Sequence, residues 1–355
     1  MSKIRVLVVD DAAVLRRAVS EELAADPAIE VVGTAANGRI ALAKLPQVNP
    51  DLVILDVEMP ELDGLATLRE IRKNYPKLPV IMFSALTERG AEATLEALSL
   101  GATDYFTKPA GAGGLEESLR VIREELVPEI KTLCARPVAK AAFAPPATPA
   151  ARPGAARRAP VEVIAIGTST GGPNALADLF AGLPADLPVP IVIVQHMPPM
   201  FTRLLAERLS AQSPIKVEEG RPGAVLAPGR AWVAPGDFHM TVARVGTQVR
   251  VQVNQDPPEN SCRPAVDVLF RSVAKAFGPN SLAVILTGMG QDGLRGCTAI
   301  REAGGQVIAQ DEATSVVWGM PGFVARAGLA DRVMPLGLIA AEVVSRVRAG
   351  RGGGA

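Results

Sequence analysis

Three short apolar runs in the second half of the chain each end on a different reactive side chain. VEVIAIG (161–167) leads into Thr168-Ser169-Thr170-Gly171-Gly172, PIVIVQ (190–195) into His196, and LAVILTG (282–288) into Met289-Gly290-Gln291-Asp292-Gly293. Runs of this length and branching read as buried strands, and in a parallel α/β sheet every strand opens its C-terminal end on the same edge. Serine, histidine and aspartate delivered to one edge form the set used for acyl transfer by an activated hydroxyl.

Each member has a competing explanation. Gly167-Thr168-Ser169-Thr170-Gly171 satisfies Gly-x-Ser-x-Gly between a strand and a helix-like stretch from about Pro173 to Phe180. Small residues there permit a sharp turn, and the unpaired N–H groups at the helix start could hold an oxyanion. Thr170 and Met289 are the oxyanion or supporting candidates. A dinucleotide-binding turn is the alternative, but Ser169 stands where its middle glycine should be. The chain has only two histidines, His196 and His239. His196 follows an apolar strand and is the expected base, whereas His239 falls in a hairpin-like insertion and is expected to be structural. Asp292 is expected to orient the imidazole, with an N-cap role for a helix near Leu294 as a compatible alternative. The order Ser, His, Asp along the chain differs from the Ser, Asp, His order of α/β-hydrolases.

A second constellation lies in the first half. IRVLVVD ends on Asp10-Asp11, DLVILD on Asp56, LPVIMFSA carries Ser84 near its end, and YFTKP carries Tyr105 and Lys108. Three carboxylates at one sheet edge suit the hard cation Mg²⁺. A carboxylate nucleophile, a metal, a hydroxyl and a lysine together make a phosphoryl-acceptor site, because cation and lysine neutralise the developing charge. Asp10 and Asp11 could instead cap the helix that begins near Ala12.

The elements that position these residues are set by the periodicity. With 355 residues the chain fits two domains of ordinary size. IRVLVVD, IEVVGTA, DLVILD, LPVIMFSA and TDYFTKP alternate with helix-like stretches such as 12–25 and 65–74, so residues 1–130 are expected to form a five-stranded doubly wound parallel sheet of flavodoxin-like type. Residues 131–160, dominated by Ala, Pro and Arg, read as a flexible linker. Residues 161–349 resume the α/β alternation as a doubly wound, mostly parallel sheet. WVAPG, FHMTVARV and TQVRVQV within it look like short hairpin strands of a small antiparallel extension. The Gly-rich segment 350–355 is expected to be a disordered tail.

Composition narrows the function classes. Lys+Arg and Asp+Glu both total 37, so the formal net charge is zero, and neither a basic stripe nor a helix-turn-helix pattern points to nucleic acid. Cys134, Cys262 and Cys297 have neither disulfide nor zinc spacing. No run approaches the roughly 20 apolar residues that span a bilayer, and the text begins directly with a strand rather than a leader. A cytoplasmic monomer without direct membrane insertion is the expectation.

Taken together, Asp10-Asp11, Asp56-Val57-Glu58-Met59-Pro60, Asp63-Gly64, Ser84-Ala85 and Lys108-Pro109 resemble the response-regulator receiver domain across residues 3 to about 128. GTSTGG, QHMP, APGDFHM, CRPAVDVLF, LTGMGQDG and AQDEATSVVWGMPG make residues 160–348 resemble the effector half of chemotaxis protein-glutamate methylesterases. That resemblance implies a phosphorylation-activated serine esterase. It would hydrolyse glutamate methyl esters on chemoreceptor helices, release methanol, and deamidate receptor glutamines. It further implies Ser169 as nucleophile, His196 as base and Asp292 as orienting acid, with no cofactor for the ester reaction. In the receiver it implies Asp56 as the acceptor of phosphate from a chemotaxis histidine kinase, Asp10 and Asp11 with Asp56 around Mg²⁺, and Ser84 and Lys108 as sensors of the phosphoryl group. Tyr105 stands where receivers carry an aromatic switch, and a tyrosine packed at the sheet edge is an equal reading. Recruitment to chemoreceptor arrays is implied as well. An interaction module that has lost enzymatic activity is the competing class, against which the intact Ser, His and Asp set argues.

Overall fold

The structure is a computed structural model describing residues 3–108, 114–135 and 159–349. Two compact units divide between residues 136 and 137, and each is described by itself. Pro109, most of the expected linker and the tail at 350–355 lie outside the described residues.

In the first unit β1 (Ile4–Val9), α1 (Ala13–Ala25), β2 (Ile29–Ala35), α2 (Gly38–Val48), β3 (Leu52–Asp56), α3 (Gly64–Asn74), β4 (Val80–Ser84), α4 (Glu88–Ser99), β5 (Asp104–Thr107) and α5 (Gly114–Val121) alternate as expected. A π turn at Ile122–Leu126 continues into α6 (Val127–Leu133), so ordered helix runs past residue 130. The sheet order is β2-β1-β3-β4-β5, with every pairing parallel. Helices cover both faces of such a sheet, which is why all five residues of β3 and of β4 are buried. Asn37, Asp63 and Thr87 start α2, α3 and α4 by accepting N–H bonds from Ile40, Ala66 and Gly90. The strand order reverses between β1 and β3, and Asp10 and Asp56 sit at the ends of those two strands.

The second unit contains β6 (Val163–Thr168), α7 (Gly172–Ala181), β7 (Ile191–Gln195), α8 (Phe201–Gln212), β8 (Lys216–Glu219), β9 (Arg230–Val233), β10 (His239–Val245), β11 (Gln248–Asn254), α9 (Val266–Phe277), β12 (Ser281–Ile285), α10 (Leu294–Glu302), β13 (Gln306–Gln310), α11 (Met320–Arg326), β14 (Arg332–Met334) and α12 (Leu336–Ala349). Seven strands in the order β14-β13-β12-β6-β7-β9-β8 form a parallel sheet. β10 and β11 form a separate antiparallel hairpin. The segment at WVAPG is therefore corrected: Arg230–Val233 is a parallel strand between β7 and β8, not part of the hairpin. Ala231, Trp232 and Val233 are all buried, which suits a strand covered on both faces rather than a half-exposed one. The hairpin buries Met240, Val242, Val249 and Val251 in one cluster with Val266, Leu269, Phe270 and Val273 of α9. Each fully buried side chain of this size contributes roughly 1.5–3 kcal/mol, so the hairpin holds α9 firmly beneath the site.

Candidate active site and phosphoacceptor site

β12, β6 and β7 are neighbours in the sheet, and the chain turns back between β12 and β6, so the crevice expected at a reversal of strand order opens there. Thr168 pairs with Gln195, which sets Ser169 and His196 one residue beyond the ends of adjacent strands. Ser169 N–H donates to Thr287 O at 3.1 Å, and Gln195 Nε2 donates to Ser169 O at 3.1 Å. Gly171 has φ 74°, and a Cβ there would lie 2.6 Å from Val316 Cγ2, so the turn after the serine requires glycine.

His196 and Asp292 meet directly: Nε2 lies 2.8 Å from Asp292 Oδ2. The other ring nitrogen, Nδ1, faces Cys262 Sγ at 3.6 Å. Among the described residues no hydrogen bond joins Ser169 Oγ to His196; the structure pairs His196 with Asp292 and sets Ser169 past the end of the adjacent strand. Hydrogen bonds of catalytic hydroxyls are often long before substrate arrives. Thr170 N–H has no protein acceptor among the described residues and follows the serine at the start of α7, so the oxyanion candidate Thr170 has a donor to offer. Met289 follows Gly288, which bridges to Trp318 beyond the end of β12.

Asp292 is 2 % exposed and saturated with donors. Oδ2 accepts from Val266 N at 2.6 Å, and Oδ1 accepts from Asp267 N at 3.0 Å, Gly293 N at 2.9 Å and Asn260 Nδ2 at 2.9 Å. Its capping role thus falls on α9, through Val266 and Asp267, rather than on the helix at Leu294, where Gly293 takes the N-cap position. The start of α9 attracts negative charge. Burial alone would raise the Asp292 pKa, but the bond to His196, the charge of its ring and the N–H donors outweigh it and hold the carboxyl below its ordinary value. Burial works against a charged His196, yet the hydrogen bonds to Asp292 and Cys262 prevail and raise its pKa to about 10. His239 is elsewhere: buried, it accepts from Ala265 N at Nδ1 (3.2 Å) and donates from Nε2 to Pro257 O (3.1 Å), a structural role.

In the first unit Lys108 Nζ lies 2.7 Å from Asp56 Oδ2 and 2.9 Å from Asp10 Oδ2. Burial raises the Asp56 pKa to about 6 against the lowering effect of Lys108, and Asp10 adds to the rise. The lysine itself loses by burial but gains more from the two carboxylates, and its pKa is raised. Asp10, Asp11 and Asp56 place oxygens within 4.8 Å of one another, a donor set of the right size and hardness for Mg²⁺. Asp10 Oδ1 also accepts from Ala12 N at 2.8 Å, so it supports the turn into α1 as well. The Ser84 hydroxyl donates to Gly90 O at 3.0 Å at the start of α4. The Tyr105 phenol is pushed well above its ordinary pKa by burial, with the Asp104 and Glu129 carboxylates adding to it.

A doubly wound sheet with acidic strand ends and a pairing lysine, followed by a parallel sheet with a His-Asp pair beside a strand-end serine, defines a receiver joined to a serine-hydrolase-like unit. Residues 6–120 match the response regulator receiver domain, and residues 164–343 match the CheB methylesterase family. A protein-glutamate methylesterase/protein-glutamine glutaminase of Trichodesmium erythraeum is 57% identical over 98% of this chain and 100% of its own length. A namesake from a Nocardioides species is 52% identical over 98% of this chain and 96% of its own. The crystal structure of the Thermotoga maritima CheB methylesterase catalytic domain is 41% identical, with a TM-score of 0.51, over 52% of this chain and 98% of that one. The chain belongs to the CheB methylesterase family, in the form that carries its own receiver.

Asn260 and Cys262, which touch Asp292 and His196, are residues of the candidate site that sequence reasoning misses. Their signal is faint: Asn260-Ser261 between Glu259 and Cys262 is a pair suited to a tight left-handed turn.

Proposed function

We propose that this protein is a phosphorylation-activated serine esterase that hydrolyses glutamate methyl esters on chemoreceptor helices and deamidates receptor glutamines. The observation that carries the reading is the His196–Asp292 pair at 2.8 Å, held at the end of the strand next to Ser169. In this reading Ser169 Oγ attacks the ester carbonyl and passes its proton to His196 Nδ1, the nitrogen that Asp292 leaves available. The developing oxyanion is met by N–H groups at the start of α7, Thr170 foremost. His196 then returns the proton to the leaving methoxide, methanol departs, and water attacks the acyl-serine by the same relay. A glutamine substrate loses ammonia instead.

Asp56 is the proposed phosphate acceptor from a histidine kinase, with Asp10, Asp11 and Asp56 as the residues that would hold Mg²⁺. When bound, that ion supplies positive charge to the transferring phosphoryl oxygens. Lys108 lies beside Asp56 to share that charge, and Ser84 must leave Gly90 O to reach the phosphoryl group. A phosphoryl group creates about one to three charge-assisted hydrogen bonds, each worth roughly 1.5–3 kcal/mol. Their sum approaches the roughly 5.5 kcal/mol needed to invert a strongly biased two-state equilibrium. The receiver would thus act as a brake that phosphorylation releases.

The test is methanol release from membranes carrying radiomethylated chemoreceptors, with and without a small phosphodonor and Mg²⁺. Release that depends on Ser169 and rises with the donor supports the proposal; release unchanged by Ser169→Ala removes it.

A further inference from the structure

Asp292 is one of two buried carboxylates beneath His196. Asp267, 1 % exposed, is the second, and its Oδ1 accepts from Gly296 N at 2.7 Å. One amide joins them: Asn260 Nδ2 lies 2.9 Å from Asp292 Oδ1 and 3.0 Å from Asp267 Oδ2. An amide nitrogen carries two hydrogens, so each acid can receive one. Two ionised carboxylates sharing a site repel, and without a donor between them one takes up a proton or turns away.

The backbone that presents Asn260 is built for this task. Asn260 and Ser261 have φ 52° and 61°, closed by Cys262 N–H to Glu259 O at 2.9 Å and Glu259 N–H to Cys262 O at 3.1 Å. Positive φ at both central residues marks the turn class that favours asparagine there. The turn is pinned from outside by Arg271 on Glu259 at 2.5 Å and by Arg263 on Asp237 at 2.6 Å. Two residues beyond Asn260, the same turn sets Cys262 Sγ against His196 Nδ1. One four-residue loop therefore reaches both the acid and the base.

We propose that Asn260 is a positioning residue of the triad: its amide, delivered by the left-handed turn, aims Asp292 Oδ2 at His196 Nε2 and keeps Asp267 from disturbing that pair. The inference rests on the serine-esterase reading above. Asn260 does not touch the reacting atoms; it acts through Asp292. The titratable groups around that carboxylate are His196, Asp267, Cys262 and the buried Cys297.

Full-length protein activated with phosphodonor and Mg²⁺ provides the assay, with methanol release measured across pH. Asn260→Gly removes the amide while keeping a backbone that tolerates positive φ. Asn260→Asp keeps size and turn tolerance but replaces the donor with an acceptor. Both should lower kcat about 10- to 100-fold, the scale of a misaimed catalytic group, with KM unchanged. Both should also move the acid limb of kcat/KM to higher pH, because Asp292 loses a donor and attracts the imidazolium proton more strongly, and Asn260→Asp should move it further by adding negative charge. A wild-type kcat and limb in Asn260→Gly, alongside an inactive Ser169→Ala, overturns the inference and leaves the esterase reading intact. If Asn260→Gly fails to fold, a wild-type limb in Asn260→Asp overturns it equally. An active Ser169→Ala would instead overturn both.

Discussion

His196 turns Nε2 toward Asp292, at 2.8 Å, and not Nδ1. In the proposed reaction the nitrogen left to collect the proton of Ser169 is therefore Nδ1, which Cys262 Sγ faces at 3.6 Å. The serine hydroxyl would have to reach the nitrogen that the thiol faces.

Ser169→Ala should reduce ester hydrolysis on the order of 10³-fold or more, since members of a cooperating triad fail together. His196→Gln should do the same, and the double variant should be little worse than either single one. Methanol release by the three variants checks this; additive losses would show that the two residues act separately.

With His196 as the base, its pKa, raised to about 10 by Asp292 and Cys262 against burial, should set the pH profile. A general base works in its neutral form, so kcat/KM should still be rising with pH well above 6.5, the ordinary value for imidazole. Cys262 raises that pKa by accepting from the charged ring, so Cys262→Ala should shift the acid limb to lower pH and increase the neutral fraction at neutral pH. A limb that stays in place would show that the sulfur does not tune the base.

His239→Gln should be far milder in turnover than His196→Gln. It loses bonds to Ala265 N and Pro257 O, and a buried donor or acceptor left unmatched costs about 1–3 kcal/mol of stability. Thermal unfolding beside methanol release separates the two effects. An inactive but stable His239→Gln would contradict the assignment.

Gly171→Ala should injure both stability and rate. The left-handed backbone alone costs roughly 1–2 kcal/mol for a residue with a Cβ. The new methyl would also lie 2.6 Å from Val316 Cγ2, so the melting temperature should fall by several degrees. Turnover should fall too, because the Thr170 N–H is carried by the same turn.

Asp56→Asn should abolish stimulation by phosphodonor and Mg²⁺, since no other carboxylate at that sheet edge ends the third strand of the receiver. The fragment from Pro160 onward should release methanol without donor. The Thermotoga maritima CheB methylesterase catalytic domain, 41% identical, crystallised by itself, so the fragment is expected to fold. A folded but inactive fragment would mark the receiver as an obligatory activator.

That Ser169 and His196 come to one sheet edge was legible because each follows an apolar run: VIAIGT and IVIVQ are buried throughout, and the residues just past them reach the edge. The direction of Arg230–Val233 was not, since a strand of four residues with Pro-Gly close behind it reads equally as half a hairpin. Asn260 and Cys262 were hidden for a different reason. They sit in a loop without periodicity: Asn260 meets acids contributed 7 and 32 residues later, and Cys262 meets a histidine 66 residues earlier. Nor does spacing reveal which imidazole nitrogen meets Asp292, because that depends on the ring's orientation after packing.

The strand order has a consequence for biogenesis. The pair His196–Asp292 spans 96 residues of chain, and Thr168 reaches Thr287 across 119. Contacts this distant in sequence close late in folding, after local helices and hairpins have formed. A chain still emerging from the ribosome, or cut between β7 and β12, holds Ser169 and His196 without Asp292. Hydrolytic competence should thus come late, and recovery of turnover during refolding should trail recovery of helical signal.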